Sequence, residues 1–195
     1  MTVHESDSPG PIGVVLAGGL GRRLGGLKGS VELFGRPLAA WVADALGEVV
    51  GEVAVAVKEG SAVPALTGVA VWREPREPVH PLAGIAWALS RSGARDLLVC
   101  AVDLPFCADA VRAVAQAASR SPAAVVVAEG QPLLGLYRGS VAGALRSAVA
   151  AGRPARSAVA SLGALAVAVP DPERTLFNVN TPEDLARAEA MVCGG

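Results

Sequence analysis

The sequence predicts an α/β fold: a single-domain, Rossmann-like and mostly parallel sheet with helices on both faces. Segments typical of strands alternate with segments typical of helices along the chain, which is the order found in folds with parallel strands. The predicted strands are continuously apolar, as strands are when both faces of the sheet are covered. The length of 195 residues suits one domain, which we place at residues 12–195, after a flexible N-terminal tail at residues 1–11.

In the first half of the chain, glycine and proline separate apolar runs from amphipathic stretches. The run at 12–17 ends at two glycines, which predicts a buried strand that enters a glycine-rich loop. Helices are predicted to begin at Pro37 and Pro81, because proline is favoured in the first turn of a helix, and to end near Gly47 and Ser92. Further strands are predicted at 53–57, 69–72 and 96–102.

The second half continues the alternation with shorter elements. Helices are predicted at 108–119 and 140–151, and strands at 123–128, 133–137, 165–169 and 176–179. The last helix is expected after Thr181, a good N-cap, because Pro182 suits the first helical position and Glu183 and Asp184 place acids in the first turn.

The composition excludes several classes of protein. A formal net charge of -1 argues against a general nucleic-acid binder, and an aromatic content of 4% argues against a base-stacking surface. The three cysteines form no CxxC pair and only two histidines are present, so we expect neither a zinc site nor a disulfide framework, and place the protein in the cytoplasm. No run of ~18 apolar residues is present, so no membrane span is expected.

The loop after the first strand is rich in glycine and positive charge. Residues 18–29 contain six glycines, three cations (Arg22, Arg23 and Lys28) and no acidic residue. Glycine amides can approach phosphate oxygens closely, and the cations add charge-assisted donors, so the loop is predicted to bind a polyphosphate. It matches neither a Walker loop nor a dinucleotide fingerprint, because Gly29 follows Lys28 and Leu24 replaces the third glycine of GxGxxG. A surface loop without a ligand is the alternative.

Two further features follow predicted strands, where α/β proteins bind their ligands. Asp103 comes directly after the strand at 96–102, and its carboxylate could hold Mg²⁺. Asn178 and Asn180 would point to one side of an extended segment, where they could bind a metal or a substrate. Turn and helix-capping roles are the alternative for Asp103, and also for Asn180 with Thr181. For His80, which precedes a helix, we expect a structural role.

Six segments, in order along the chain, resemble the MobA-like nucleotidyltransferases, and within them the molybdenum cofactor guanylyltransferases. LAGGLGRRLGG at 16–26 is similar to the signature LAGGxGxRMGG, and FNVNTPEDL at 177–185 is similar to NxNTPEDL. The other four are FGRPL at 34–38, PLAGI at 81–85, VDLP at 102–105 and QPLLGLY at 131–137. The opening segment alone is typical of nucleotidyltransferases in general, whereas all six in this order favour the molybdopterin branch.

The resemblance implies a fold of the nucleotide-diphospho-sugar transferase type and a site that uses Mg²⁺. Arg23, Lys28 and Asp103 would be catalytic, and Asp103 would also be the metal ligand. Arg23 would reach the phosphates of the nucleotide, and Lys28 would neutralise charge near the α-phosphate. The substrate-binding residues would be Leu16, Ala17, Gly18, Gly19, Gly21, Glu74, Gly84, Asn178 and Asn180.

The chain departs from the family pattern mainly at the nucleoside end of the expected site. Leu27 precedes Lys28 where the family has aspartate, and His80 replaces the glycine of GPLAG. Ala56 stands where the family often has an asparagine near the base. Glu74 is the nearest acid to the position of a family aspartate that contacts the nucleoside. These changes bear on which base is bound.

The function that the resemblance implies is transfer of GMP from GTP to molybdopterin, with release of pyrophosphate. The partners would be GTP or another NTP, molybdopterin, and molybdoenzymes or cofactor-insertion proteins that take the product; neither nucleic acid nor a membrane is expected. The alternatives are cytidylyl transfer to molybdopterin, guanylyl transfer to phospholactate, a sugar phosphate acceptor, and a nucleotide-binding relative that has lost catalysis.

Overall fold

The computed structural model describes residues 9–18, 30–63 and 65–193. Its strands are β1 (Ile12–Leu16), β2 (Glu32–Leu33), β3 (Arg36–Pro37), β4 (Val53–Lys58), β5 (Ala70–Glu74), β6 (Leu97–Ala101), β7 (Val125–Ala128), β8 (Gln131–Tyr137) and β9 (Leu165–Val167). Its helices are α1 (Leu38–Gly47), α2 (Ala83–Arg91), α3 (Ala108–Ser119), α4 (Ala142–Ala150), α5 (Ala155–Ala160), α6 (Pro172–Thr175) and α7 (Pro182–Cys193).

The described residues form a seven-stranded sheet in the order β5-β4-β1-β6-β8-β7-β9. Strand β1 lies between β4 and β6 and pairs in parallel with both, and β5 extends this parallel half beyond β4. Strand β8 runs antiparallel to β6 and β7. The carboxyl ends of β5, β4, β1 and β6 therefore meet at one edge of the sheet. The predicted α/β class with a mostly parallel sheet is confirmed.

Helices cover both faces of the sheet, which explains the continuously apolar strands. Val14 and Val15 of β1 are both 0% exposed, yet they belong to different core clusters. The cluster of Val15 includes buried residues of α1 and α3, and the cluster of Val14 includes buried residues of α2, α4 and α5. Because successive strand residues point to opposite faces, each face needs its own apolar side chains. Within the described residues, no helix is both long and apolar enough to cross a membrane.

The structure differs from the predicted elements in the part of the chain between α4 and α7. The strand predicted at 176–179 is wrong, because this segment follows the short helix α6 and has no strand pairing. Its Val179 amide donates to the main-chain oxygen of Asp103, in the turn after β6. Helices α5 and α6 were not predicted, since six and four residues are too few to show a helical repeat of apolar side chains.

The start of α7 is built as predicted. The amide of Asp184 donates to Oγ1 of Thr181 at 3.2 Å, and the amide of Thr181 donates to Oδ2 of Asp184 at 3.1 Å, which is a reciprocal cap. The amide of Asn180 donates to the same carboxylate, and these bonds, led by that from Asn180, lower the pKa of Asp184. The cap thereby fixes the position of residues 180 and 181 relative to α7.

Gly139 is expected to tolerate no side chain. A Cβ here would lie 1.5 Å from the carbonyl oxygen of Ala94, and the Gly139 amide donates to Oδ1 of Asp96 at 3.0 Å, so the backbone cannot retreat without losing that bond. We expect Gly139→Ala to lower the free energy of unfolding by about 2 kcal/mol, measured by urea denaturation. Gly143→Ala in α4 is the matched control, because the nearest atom to its Cβ is 4.0 Å away. Equal unfolding midpoints for the two variants would contradict the prediction.

Candidate functional site

A cleft of about 310 Å³ opens at the carboxyl ends of β1, β4, β5 and β6. Five of the residues predicted from the sequence line this carboxyl-edge cleft: Leu16, Gly18, Glu74, Gly84 and Asp103. Further walls come from residues that were not predicted as site residues, including Lys58, Val79, His80, Pro81 and Leu133. The sheet thus brings two acids from different strands, the first glycine of the loop and the start of α2 to one opening.

Glu74 is the buried acid of the cleft, with 4% of its surface exposed. Its Oε2 lies 3.3 Å from Nζ of Lys58, which is its register partner at the end of β4. A Cβ on Gly18 would lie 2.3 Å from Oε1 of Glu74, and a Cβ on Gly84 would lie 3.4 Å from Oε2. The carboxylate therefore fits between two glycines, and position 18 needs glycine because of this close approach.

The ion pair sets the charge of this end of the cleft. Burial raises the pKa of Glu74, and the nearby Lys58 ammonium opposes that rise. Nζ of Lys58 also donates to the carbonyl oxygens of Pro75 at 3.0 Å and Pro78 at 3.4 Å, which hold the ammonium in place. When ionised, Glu74 can only accept hydrogen bonds. The site therefore suits a ligand that presents N–H or O–H donors.

Asp103 lies at the other side of the cleft, two residues after the end of β6, and is half-buried. Its main-chain oxygen accepts a hydrogen bond from the amide of Val179 at 2.9 Å. Nδ2 of Asn178 donates to the carbonyl oxygen of Leu176 at 2.9 Å, so this bond uses the amide nitrogen and not the amide oxygen. The structure brings Asp103 together with the segment that carries Asn178 and Asn180, although the two are far apart in the sequence.

Leu16 and Ala17 lie where β1 enters the cleft. The carbonyl oxygen of Leu16 accepts from the amide of Val102 at 3.1 Å, and the amide of Ala17 donates to the carbonyl oxygen of Ala56 at 2.8 Å. Ala56, the position of the family asparagine, is 1% exposed and packs with buried residues of α2. Strand β4 continues to Lys58, whose side chain lines the cleft.

The remaining predicted residues are Gly19, Gly21, Arg23 and Lys28, which lie outside the described residues. Their roles stay predictions. Within the described residues, no group of three or more His, Cys, Asp or Glu side chains could hold a metal ion. The ligands predicted from the sequence for a metal here are the carboxylate of Asp103 and the side-chain amides of Asn178 and Asn180. Carboxylate and amide oxygens are hard ligands, which suit Mg²⁺.

Comparison with known proteins identifies the family. The MobA-like NTP transferase domain matches residues 13–167. The chain belongs to the MobA-like NTP transferase family. The family resemblance seen in the six motifs is confirmed.

A molybdenum cofactor guanylyltransferase of Cereibacter sphaeroides is 40% identical to this NTP transferase over 187 residues, covering 92% of this chain and 96% of the relative. A probable molybdenum cofactor guanylyltransferase of Mycobacterium ulcerans (strain Agy99) is 32% identical over 194 residues, covering 95% and 96%.

Solved structures share the fold of this NTP transferase. Molybdopterin-guanine dinucleotide biosynthesis protein A of Archaeoglobus fulgidus matches with a TM-score of 0.74 at 23% identity, covering 94% of this chain and 100% of that one. The 2-C-methyl-D-erythritol 4-phosphate cytidylyltransferase of Thermus thermophilus matches with a TM-score of 0.70 at 21% identity, covering 95% and 100%. At these identities the likeness shows the fold alone, and it confirms the fold type that the motifs implied.

Two side chains that line the cleft were not predicted from the sequence as site residues: Lys58 and His80. Lys58 ends a buried apolar strand, and a lone cation at the carboxyl end of a parallel strand is the signal that could have found it. His80 was expected to be structural, yet it lines the cleft. Its position before Pro81, at the start of a predicted helix, was the available signal.

Proposed function

We propose that this NTP transferase transfers GMP from GTP to molybdopterin with Mg²⁺ bound, and that it works in the cytoplasm. The observation that best supports this proposal is the arrangement of one cleft. Glu74 lies beside Lys58 at one end, and Asp103, which is bonded to Val179, lies at the other. With strands about 4.8 Å apart, the ends of β5 and β6 lie roughly 14 Å from each other. That span suits a nucleotide extended from its base to its phosphates.

At the Glu74 end, the carboxylate would accept hydrogen bonds from the nucleoside. Guanine presents an N1–H and an amino group on one edge, and ribose presents hydroxyls, so each can donate to a group that only accepts. Lys58 favours the ionised form of Glu74. The names of the curated relatives, molybdenum cofactor guanylyltransferases, support guanine as the base and the molybdenum cofactor as the acceptor.

At the Asp103 end, the carboxylate and the amide oxygens of Asn178 and Asn180 would hold Mg²⁺. Bound there, the ion would neutralise charge on the phosphates. Leu16, Ala17, Gly18 and Gly19 would contact the nucleotide through their backbone, and Arg23 and Lys28 would stabilise the leaving pyrophosphate, as the family motifs imply. The product would pass to cofactor-insertion proteins or molybdoenzymes.

The chemistry needs positioning and charge neutralisation more than proton transfer. An oxygen of the terminal phosphate of the acceptor forms a bond to the α-phosphorus, and the bond from that phosphorus to the bridging oxygen of pyrophosphate breaks. The attacking oxygen is already anionic, so no general base has to remove a proton. His80, the one histidine among the described residues, has both ring nitrogens in hydrogen bonds, which agrees with a reaction that uses no histidine base.

Pyrophosphate release from the purified chain tests this proposal. We expect release with GTP, Mg²⁺ and molybdopterin to exceed release with CTP by about tenfold or more. A preference for CTP would show that the transferred nucleotide is CMP. Activity with phospholactate or a sugar phosphate instead of molybdopterin would show that the acceptor is that compound. GTP binding without pyrophosphate release from any combination would identify a nucleotide-binding relative that has lost catalysis.

A further inference from the structure

His80 joins two parts of the fold through its imidazole ring. Its Nδ1 accepts a hydrogen bond from the amide of Leu82 at 3.0 Å, and its Nε2 lies 2.8 Å from the carbonyl oxygen of Arg153. An amide can only donate and a carbonyl oxygen can only accept. The ring must therefore carry its hydrogen on Nε2 and none on Nδ1, so both bonds form together only in this neutral tautomer.

The two bonds fix the wall of the cleft that faces Glu74. Leu82 is 0% exposed and directly precedes α2, whose first turn contains Gly84. Gly84 packs against Glu74, since a Cβ there would be in van der Waals contact with Oε2 at 3.4 Å. Arg153 lies in the loop between α4 and α5. A shift of the first turn of α2 would therefore move the surface that packs on the carboxylate.

We infer that His80 is a positioning residue for the nucleoside end of the cleft. It braces the first turn of α2 against the α4–α5 loop, so that Gly84 and Glu74 keep their spacing before the nucleotide arrives. Because both ring nitrogens are already hydrogen-bonded, His80 acts through this turn and not by donating to the ligand. The identity of the ligand rests on the proposed function, whereas the tautomer and the brace do not.

Three substitutions at position 80 distinguish the effects of the two hydrogen bonds. His80→Asn keeps an oxygen near the place of Nδ1, which can accept from Leu82, and His80→Gln brings an amide N–H towards Arg153. His80→Gly removes both bonds. Loss of one hydrogen bond costs up to about tenfold in an equilibrium constant. Because the bond to Leu82 is the one that reaches the cleft wall, we expect its loss in His80→Gly to raise the KM for GTP roughly tenfold with kcat nearly unchanged. His80→Asn should recover most of that loss, because it keeps the bond to the cleft wall.

Imidazole ¹⁵N spectra and amide exchange supply readouts that need no nucleotide. The chain has two histidines, so His4→Gln leaves one imidazole signal. We expect that signal to show an unprotonated Nδ1 and a protonated Nε2, and the Leu82 amide to exchange faster in His80→Gly than in His80→Asn.

These experiments distinguish failure of the inference about His80 from failure of the proposed function. A ring with its hydrogen on Nδ1, or equal Leu82 exchange in folded wild type and His80→Gly, would overturn the inference. An unchanged KM for GTP in His80→Gly, with normal turnover, would overturn it as well. A wild-type protein that binds no GTP but shows the expected tautomer and exchange would refute the proposed function and leave the brace intact.

Discussion

Asp103→Ala is expected to lower turnover roughly 1,000-fold while the chain stays folded, since one well-positioned charged group at a phosphate site contributes on that order. The substitution removes the carboxylate that would hold Mg²⁺. It keeps the hydrogen bond from Val179, because the acceptor there is the main-chain oxygen of Asp103. The side chain is half-buried and belongs to neither core cluster. Pyrophosphate release at saturating GTP and acceptor measures the loss, and thermal unfolding measures the fold.

A second aspartate provides the control. Asp109 lies in α3 with 57% of its side chain exposed and pairs with Arg112 on the surface, so Asp109→Ala should keep normal turnover and nearly normal stability. Asp103→Asn keeps an oxygen ligand but loses the charge, and should fall between wild type and Asp103→Ala. Near-normal turnover of Asp103→Ala with Mg²⁺ present would show that Asp103 is not the metal ligand.

The sequence predicts the parts of the site that belong to the regular sheet. Apolar runs reveal the strands, and parallel strands must end at a common edge. The residues after β1 and β6, Gly18 and Asp103, are therefore placed at one cleft without any knowledge of side-chain packing. Glu74 could be named as a candidate, but the end of β5 lies two residues beyond the predicted strand, so only the structure fixes its register.

Other parts of the site depend on contacts that no local pattern contains. Lys58 matters because the parallel register sets it opposite Glu74. His80 matters because its ring reaches Arg153, which is remote in the sequence. The segment at 176–179 was predicted as a strand, yet among the described residues it pairs with no strand, and its Val179 amide bonds to Asp103 in the turn after β6. Tertiary packing decides all three cases, and a single sequence does not display it.

Gly18→Ala is expected to lower kcat/KM for GTP roughly 100-fold, the cost of about 1 Å of misplacement in a positioned site. The new methyl group would lie 2.3 Å from Oε1 of Glu74 and 3.6 Å from Cγ of Lys58. The carboxylate cannot simply turn aside, because Lys58 holds it at 3.3 Å and is itself held by two proline carbonyls. The acid, its cation or the β1 terminus must therefore move. Steady-state kinetics with GTP measures the loss.

Gly84→Ala is the matched control, because its Cβ would approach the same carboxylate at 3.4 Å, a distance that a small adjustment of the side chain accommodates. It should change kcat/KM far less than Gly18→Ala does. A double-mutant cycle identifies the cause: shortening the acid by Glu74→Asp withdraws the oxygen that the new methyl group meets, so Gly18→Ala should cost much less in the Glu74→Asp background than in wild type. An equal cost in both backgrounds would show that Gly18 acts through its own backbone contact with the nucleotide and not through Glu74.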